Sequence, residues 1–197
     1  MSTENKMDSG RRRILATTCA VGGVGVVAAA VPFVSSMMPS ERAKAAGAPV
    51  EADISKLAPG HMMTVEWRGK PVWILNRTKE MLDSLAAVEP ELADPASDKS
   101  IQPANCKNQH RSIKPEILVA IGICTHLGCS PSSKFATGAA EGMLADWKGG
   151  FLCPCHGSTF DLAARVYKEK PAPTNLEIPP HYYISDTRIL IGEEKGA

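Results

Sequence analysis

The sequence predicts a mainly β domain carried behind a single membrane-spanning helix and a flexible neck. Three observations predict it. An apolar run without a charged residue, 25 positions from 14 to 38, follows directly on Arg11, Arg12 and Arg13. Short β-patterned segments pair around tight turns, as where 62–67 and 71–75 flank Arg68-Gly69-Lys70. Two boxes, CTHLGC at residues 124–129 and CPCHGS at 153–158, each hold two cysteines and one histidine, and each follows a strand-like run.

The chain of 197 residues, 44% of them hydrophobic, can build one cored domain plus an appendage. A formal net charge of +1 and no basic stripe interleaved with aromatics give no electrostatic case for nucleic acid. Partners are therefore expected to be protein, membrane or small molecule.

The anchor comes first. At about 1.5 Å per residue the run 14–38 reaches roughly 37 Å, enough to cross a hydrocarbon core of about 30 Å. It is longer than a signal-peptide core of about 7 to 15 residues, which argues against the rival reading of a leader cleaved after Ala43-Lys44-Ala45. Arg11-Arg12-Arg13-Ile14-Leu15 fits the twin-arginine export pattern. The positive-inside rule places residues 1–13 in the cytoplasm and everything after the run on the outer side. Gly22, Gly23 and Gly25 leave one helix face with little bulk, Pro32 is a kink candidate, and Cys19 reads as a small buried hydrophobe. Residues 39–58 have a linker composition of Ala, Ser and Gly with scattered charge and are read as the neck.

The head is expected from 59 to 197. Its first hairpin is the one around Arg68-Gly69-Lys70. Apolar positions at Met81, Leu82, Leu85 and Val88 predict a short amphipathic helix over 78–88, ended by Pro90 and Pro95. Residues 93–114 are polar and irregular; Cys106 there is expected to be a free thiol and His110 a loop residue. A strand over 117–123 leads into the first box and 150–152 into the second, while 182–185 and 188–191 around Asp186-Thr187 read as a closing hairpin. His61 and His181 are read as structural or surface residues.

A mononuclear zinc site closes with four ligands, so six candidates in two matching boxes point to four ligands plus one Cys-Cys pair. The alternative reading is a structural zinc knuckle or an ordinary disulfide, and a lone CxxC would be a weaker signal. Two matching boxes, with the 26 residues 127–152 between the histidine of the first and the leading cysteine of the second, carry much more weight. Cys124 and His126 alternate with Thr125 and can both face a metal from one extended loop, with Gly128 and Gly157 permitting the reversals.

The two boxes resemble those of the Rieske iron-sulfur proteins. The resemblance implies one 2Fe-2S cluster, with Cys124 and Cys153 on one iron, His126 and His156 on the other, and a Cys129–Cys155 disulfide tying the two loops. It implies that His156, at the exposed tip, is the catalytic residue that hydrogen-bonds a quinol hydroxyl and takes its proton. Leu127 would shield the cluster and line the docking surface. Pro171 and Pro173 of Pro171-Ala172-Pro173 would cover it from the other side, and the Ser158 hydroxyl would bond a bridging sulfide. The cluster subdomain would span about 118–173. One position departs from the best-known pattern: many respiratory members place a tyrosine two residues after that serine, and this chain has Phe160. A lower potential is expected from the missing donor.

In order and content the chain is similar to the iron-sulfur subunits of bacterial ubiquinol–cytochrome c reductases, the cytochrome bc1 complex. That resemblance implies acceptance of one electron and a proton from ubiquinol at an outer site made with cytochrome b, delivery of the electron to cytochrome c1, and a contribution to proton translocation. It also implies a dimeric complex in the bacterial inner membrane, with the head in the periplasm. Two other readings are open: the small Rieske subunit of a periplasmic arsenite oxidase-type enzyme, which also carries a twin-arginine signal, and a zinc-stabilised envelope domain, which predicts a colourless protein.

Overall fold

The computed structural model describes residues 8–195. Residues 1–7 of the segment read as cytoplasmic lie outside the described ones, as do 196 and 197. The first unit is a continuous helix of 28 residues, α1 (Ser9–Ser36), which is long and apolar enough to cross a membrane. It starts before the apolar run because Asp8 caps it, its carboxylate accepting from the amides of Gly10 and Arg11 at 2.9 and 3.3 Å. Pro32 lies inside the helix without ending it. Its whole surface is exposed, including Cys19, which the sequence led us to expect buried. The helix is apolar all round, so the medium it suits is lipid rather than a protein core.

A short helix, α2 (Glu41–Ala46), precedes the second unit. That unit holds three antiparallel sheets of three strands each. The central sheet joins β2 (Met62–Trp67), β3 (Lys70–Asn76) and β4 (Ile117–Ile121), in that order. Arg68 and Gly69 turn the first hairpin, both with positive φ. All five residues of β4 are buried, and β3 alternates between two covered faces. Val72, Ile74, Val119 and Ile121 face one core with Trp67, Ile189 and Ile191. Trp73, Leu75, Leu118 and Ala120 face another, shared with Leu85 of α3 (Lys79–Ala87), Phe151 and Phe160. A sheet covered on both sides gives the continuous apolar run that β4 shows.

The edge sheet orders β1 (Val50–Asp53), β9 (Arg188–Ile191) and β8 (His181–Ser185). Here the structure corrects the boundary drawn at residue 59. Val50 pairs with Ile191 and Asp53 with Arg188, and Ala52 is buried in the core, so the head begins at Val50 and the connecting segment is shorter than 39–58. The partner strand stands at the far end of the chain, where no local composition window can see it. The third sheet, β5 (Ser132–Lys134), β6 (Gly150–Leu152) and β7 (Thr159–Phe160), carries the second box. Phe151 of β6 stacks on Trp73 of the central sheet with ring centroids 4.8 Å apart, which fastens the two sheets together.

Three arginines sit inside this unit. Arg77 donates to the carbonyls of His110 and Leu162 and to Ser112 Oγ; Arg165 pairs with Asp161 at 2.7 Å. Arg111 reaches the carbonyls of Ala164 and Leu176. Burial pushes Arg77 and Arg111 down to about 10, which leaves both charged at neutral pH.

Candidate metal centre

The two boxes fold into matching loops. In the first, the Cys124 amide donates to the Cys129 carbonyl at 2.8 Å and the Gly128 amide to the Cys124 carbonyl at 3.0 Å. In the second, the Cys153 amide donates to the Ser158 carbonyl at 2.7 Å and the Gly157 amide to the Cys153 carbonyl at 3.0 Å. Each reversal turns on a glycine with φ of 85° and 74°, a region that a side chain makes costly. A glycine is also required where β6 begins, because a Cβ on Gly150 would overlap the Phe160 carbonyl.

The Cys129–Cys155 disulfide joins the loops. Cys124 and Cys153 are free thiols, 2% and 1% exposed, at the floor between them. Three sulfurs, those of Cys129, Cys153 and Cys155, lie within 4.8 Å of one another, but two of them are spent on the disulfide and cannot also bind a metal. The free thiols are the available sulfur donors. The rings of His126 and His156 meet edge to face with centroids 4.7 Å apart, His126 half-buried and His156 exposed. His126 Nδ1 is buried without a hydrogen-bond partner, an unusual state for a polar atom and one that a metal ion would resolve.

Burial, opposed by the amide of His126, pushes the Cys124 thiol up, and neighbouring Cys153 pushes it further. A bound cation reverses that balance, since a coordinating thiol is deprotonated outright. Ser158 is fully buried, its Oγ accepts from the Ala172 amide at 3.0 Å, and its carbonyl accepts from the Cys153 amide at 2.7 Å. Ala172 lies between Pro171 and Pro173, both exposed, so the backbone of this proline segment rests on the second box. Thr125 Oγ1, between the first cysteine and its histidine, donates to the Thr174 carbonyl at 2.7 Å and ties the segment to the first box as well. Leu127 stands out beside the histidines, 71% exposed.

The structure thus gathers Cys124, His126, Cys153, His156 and Ser158 with the disulfide, and lays the proline segment against them. Two thiols, two imidazoles and no carboxylate make a donor set suited to a two-iron cluster with mixed ligation, and the buried, partnerless His126 nitrogen fits it. Residues 48–180 match the family described as Rieske [2Fe-2S] domain, and residues 1–40 match the ubiquinol–cytochrome c reductase Fe-S subunit TAT signal.

The chain belongs to the Rieske iron-sulfur family.

Within that family, it is 62% identical over 194 residues to the ubiquinol-cytochrome c reductase iron-sulfur subunit of Allochromatium vinosum, covering 98% of this chain and 92% of that one. The protein of the same name from Bradyrhizobium diazoefficiens is 44% identical over 98% of this chain and all of its own. Among solved structures, a chain of a hyperthermophilic respiratory complex III aligns over 89% of this chain and 98% of its own, with 26% identity and a TM-score of 0.48.

Several site features were not legible in the sequence. Nothing about Thr125 or Thr174 in isolation announces a bond between positions 49 apart. The Ala172 amide acts through its backbone, which no side-chain pattern encodes. Cys106, expected to be free, is indeed free; it is wholly buried, and desolvation pushes its thiol up to about 11. Such a thiol is inert. His181 is buried, with Nδ1 on the Pro179 carbonyl at 2.8 Å, and His61 is exposed; neither belongs to the site.

Proposed function

We propose that this chain is the iron-sulfur subunit of a quinol–cytochrome c reductase, anchored by α1 with its N-terminus in the cytoplasm and its head in the periplasm. The observation that carries the reading is an exposed histidine, His156, whose ring meets that of His126 edge to face, on two loops that each begin at a buried free thiol, with exposed Leu127 following His126. A [2Fe-2S] cluster held by Cys124, Cys153, His126 and His156 supplies a one-electron acceptor at raised potential, because neutral imidazoles replace two anionic thiolates. The chain's own residues do the rest. His156 presents its outer ring nitrogen to the quinol hydroxyl, accepts a hydrogen bond, and takes the proton as the electron enters. His126, half-buried, holds the opposite side. Leu127 and the exposed prolines 171 and 173 form an apolar rim that seats the tip against cytochrome b and keeps water from the reacting pair. The segment between α1 and β1 then lets the head carry the electron to cytochrome c1, with ubiquinol as donor and two copies of the complex in a dimer.

The test is the low-temperature paramagnetic resonance spectrum of the dithionite-reduced protein in membranes, with and without an inhibitor of the quinol site. A reduced-cluster signal whose line shape moves on inhibitor addition is the expected result. A signal indifferent to the inhibitor would transfer the assignment to an arsenite oxidase-type small subunit, and a colourless zinc protein would remove it.

A further inference from the structure

The segment 94–102, polar and irregular in sequence, is built around one buried amide. Asn175, 1% exposed, immediately follows the proline segment. Its Oδ1 accepts from the Val166 amide at 2.8 Å. Its Nδ2 donates to the Asp94 carbonyl at 2.9 Å and to Ser97 Oγ at 2.8 Å. Its backbone amide donates to Ser100 Oγ at 3.1 Å, and Ser100 Oγ in turn donates to Asp94 Oδ2 at 2.8 Å. The other Asp94 contacts are the amides of Asp98 and Lys99, which close the segment into a compact turn. A second arm runs in parallel. Gln102 donates to the Ser97 carbonyl at 3.2 Å and accepts from Arg111 Nε at 2.9 Å, and Arg111 reaches the Leu176 carbonyl at 2.8 Å. Residues 175 and 176 are thereby clamped twice by a part of the chain far in sequence from both ligand boxes.

We propose that residues 94–102 act as a strut and that Asn175 is a positioning residue, setting the proline segment so that the Ala172 amide holds Ser158 Oγ in place within the second box. The chain of contacts is continuous: strut to Asn175, three residues of backbone to Ala172, Ala172 amide to Ser158 Oγ, and the Ser158 carbonyl to the amide of Cys153. A hydrogen bond from the buried Ser158 hydroxyl to a sulfur of the bound cluster would stabilise the more negative, reduced state, so loosening the strut lowers the midpoint potential without touching a ligand. The amide is specific to the task. It accepts one hydrogen bond and donates two at a buried position, and Asn175→Asp keeps the shape while removing both donations. This inference rests on the cluster assignment above and extends it from the ligand loops to the base of the head.

The experiment uses the full chain in its membrane complex and compares Asn175→Asp, the Ser97→Ala/Ser100→Ala pair and Ser158→Ala. Hydrogen exchange at the Ala172 amide and the cluster midpoint potential are measured. Asn175→Asp and the serine pair are expected to speed Ala172 exchange by about tenfold or more, the loss of roughly one interior hydrogen bond, and to lower the midpoint. In the Ser158→Ala background, Asn175→Asp should lower the midpoint no further, because the connection to sulfur is already cut. Should Asn175→Asp fail to accumulate, the serine pair decides alone. Unchanged Ala172 exchange, or a midpoint shift that is fully additive with Ser158→Ala, overturns the strut. Exchange is read independently of quinol chemistry, so an inhibitor-indifferent spectrum would sink the reductase reading while leaving this result standing.

Discussion

At Phe160 the ring is fully buried in the same core as Cys124 and Cys153. A hydroxyl added there meets a dry environment in which a polar group left unpaired costs about 1–3 kcal/mol, so it is driven toward a sulfur acceptor. Phe160→Tyr is therefore expected to raise the midpoint potential, by stabilising the reduced cluster with one more hydrogen bond. Redox titration of the cluster signal checks this, and an unchanged or lower midpoint would show that the phenyl position does not reach a ligand sulfur. The buried Ser158 hydroxyl, its oxygen held by the Ala172 amide, is expected to act in the same direction. Residue identity was readable at Ser158 and Phe160 because one closes the second box and the other stands two residues after it. It was not readable at Ala172, whose contribution is an amide that any residue but proline would offer.

On the scale of elements, two ligand loops from different sheets become one site through a disulfide closing 26 residues of sequence. A closure of that length limits the unfolded chain by about 3 kcal/mol. Replacing both Cys129 and Cys155 with alanine should lower the unfolding midpoint of the head by roughly 6–12 °C. The visible absorbance of the cluster should bleach at or before the backbone transition. Circular dichroism and absorbance followed on one heating ramp would show it, and coincident transitions at the parent temperature would mean that packing alone holds the loops. The loops themselves were legible, since each follows an apolar strand and turns on a glycine. Their mutual placement was not, because it depends on Phe151 stacking against Trp73 from another sheet.

For the whole molecule, the head is closed by its first and last strands. Val50, Ala52 and Ile54 pack with Ile189 and Ile191, burial that contributes about 3 kcal/mol. A fragment beginning at residue 48 is expected to be soluble, to melt in one transition and to take up the cluster. A fragment beginning at residue 59 lacks β1, exposes the edge of β9 and should melt several degrees lower or aggregate. Equal melting temperatures for the two would show that β1 is dispensable.

The sequence by itself determined the anchor, the order of the hairpins and the two boxes, because each is a local signal: an unbroken apolar run, a period of two around a turn, a short spacing of cysteine and histidine. It also carried the cluster type, since the donor set is a matter of residue identity. Only the tertiary structure decided that Val50–Asp53 belongs to the head rather than to the neck, and that an irregular polar stretch clamps Asn175 beneath the proline segment. The physical reason is the same in both cases. These contacts join residues from 75 to about 140 positions apart through backbone and amide hydrogen bonds, and such bonds leave no periodicity in the chain.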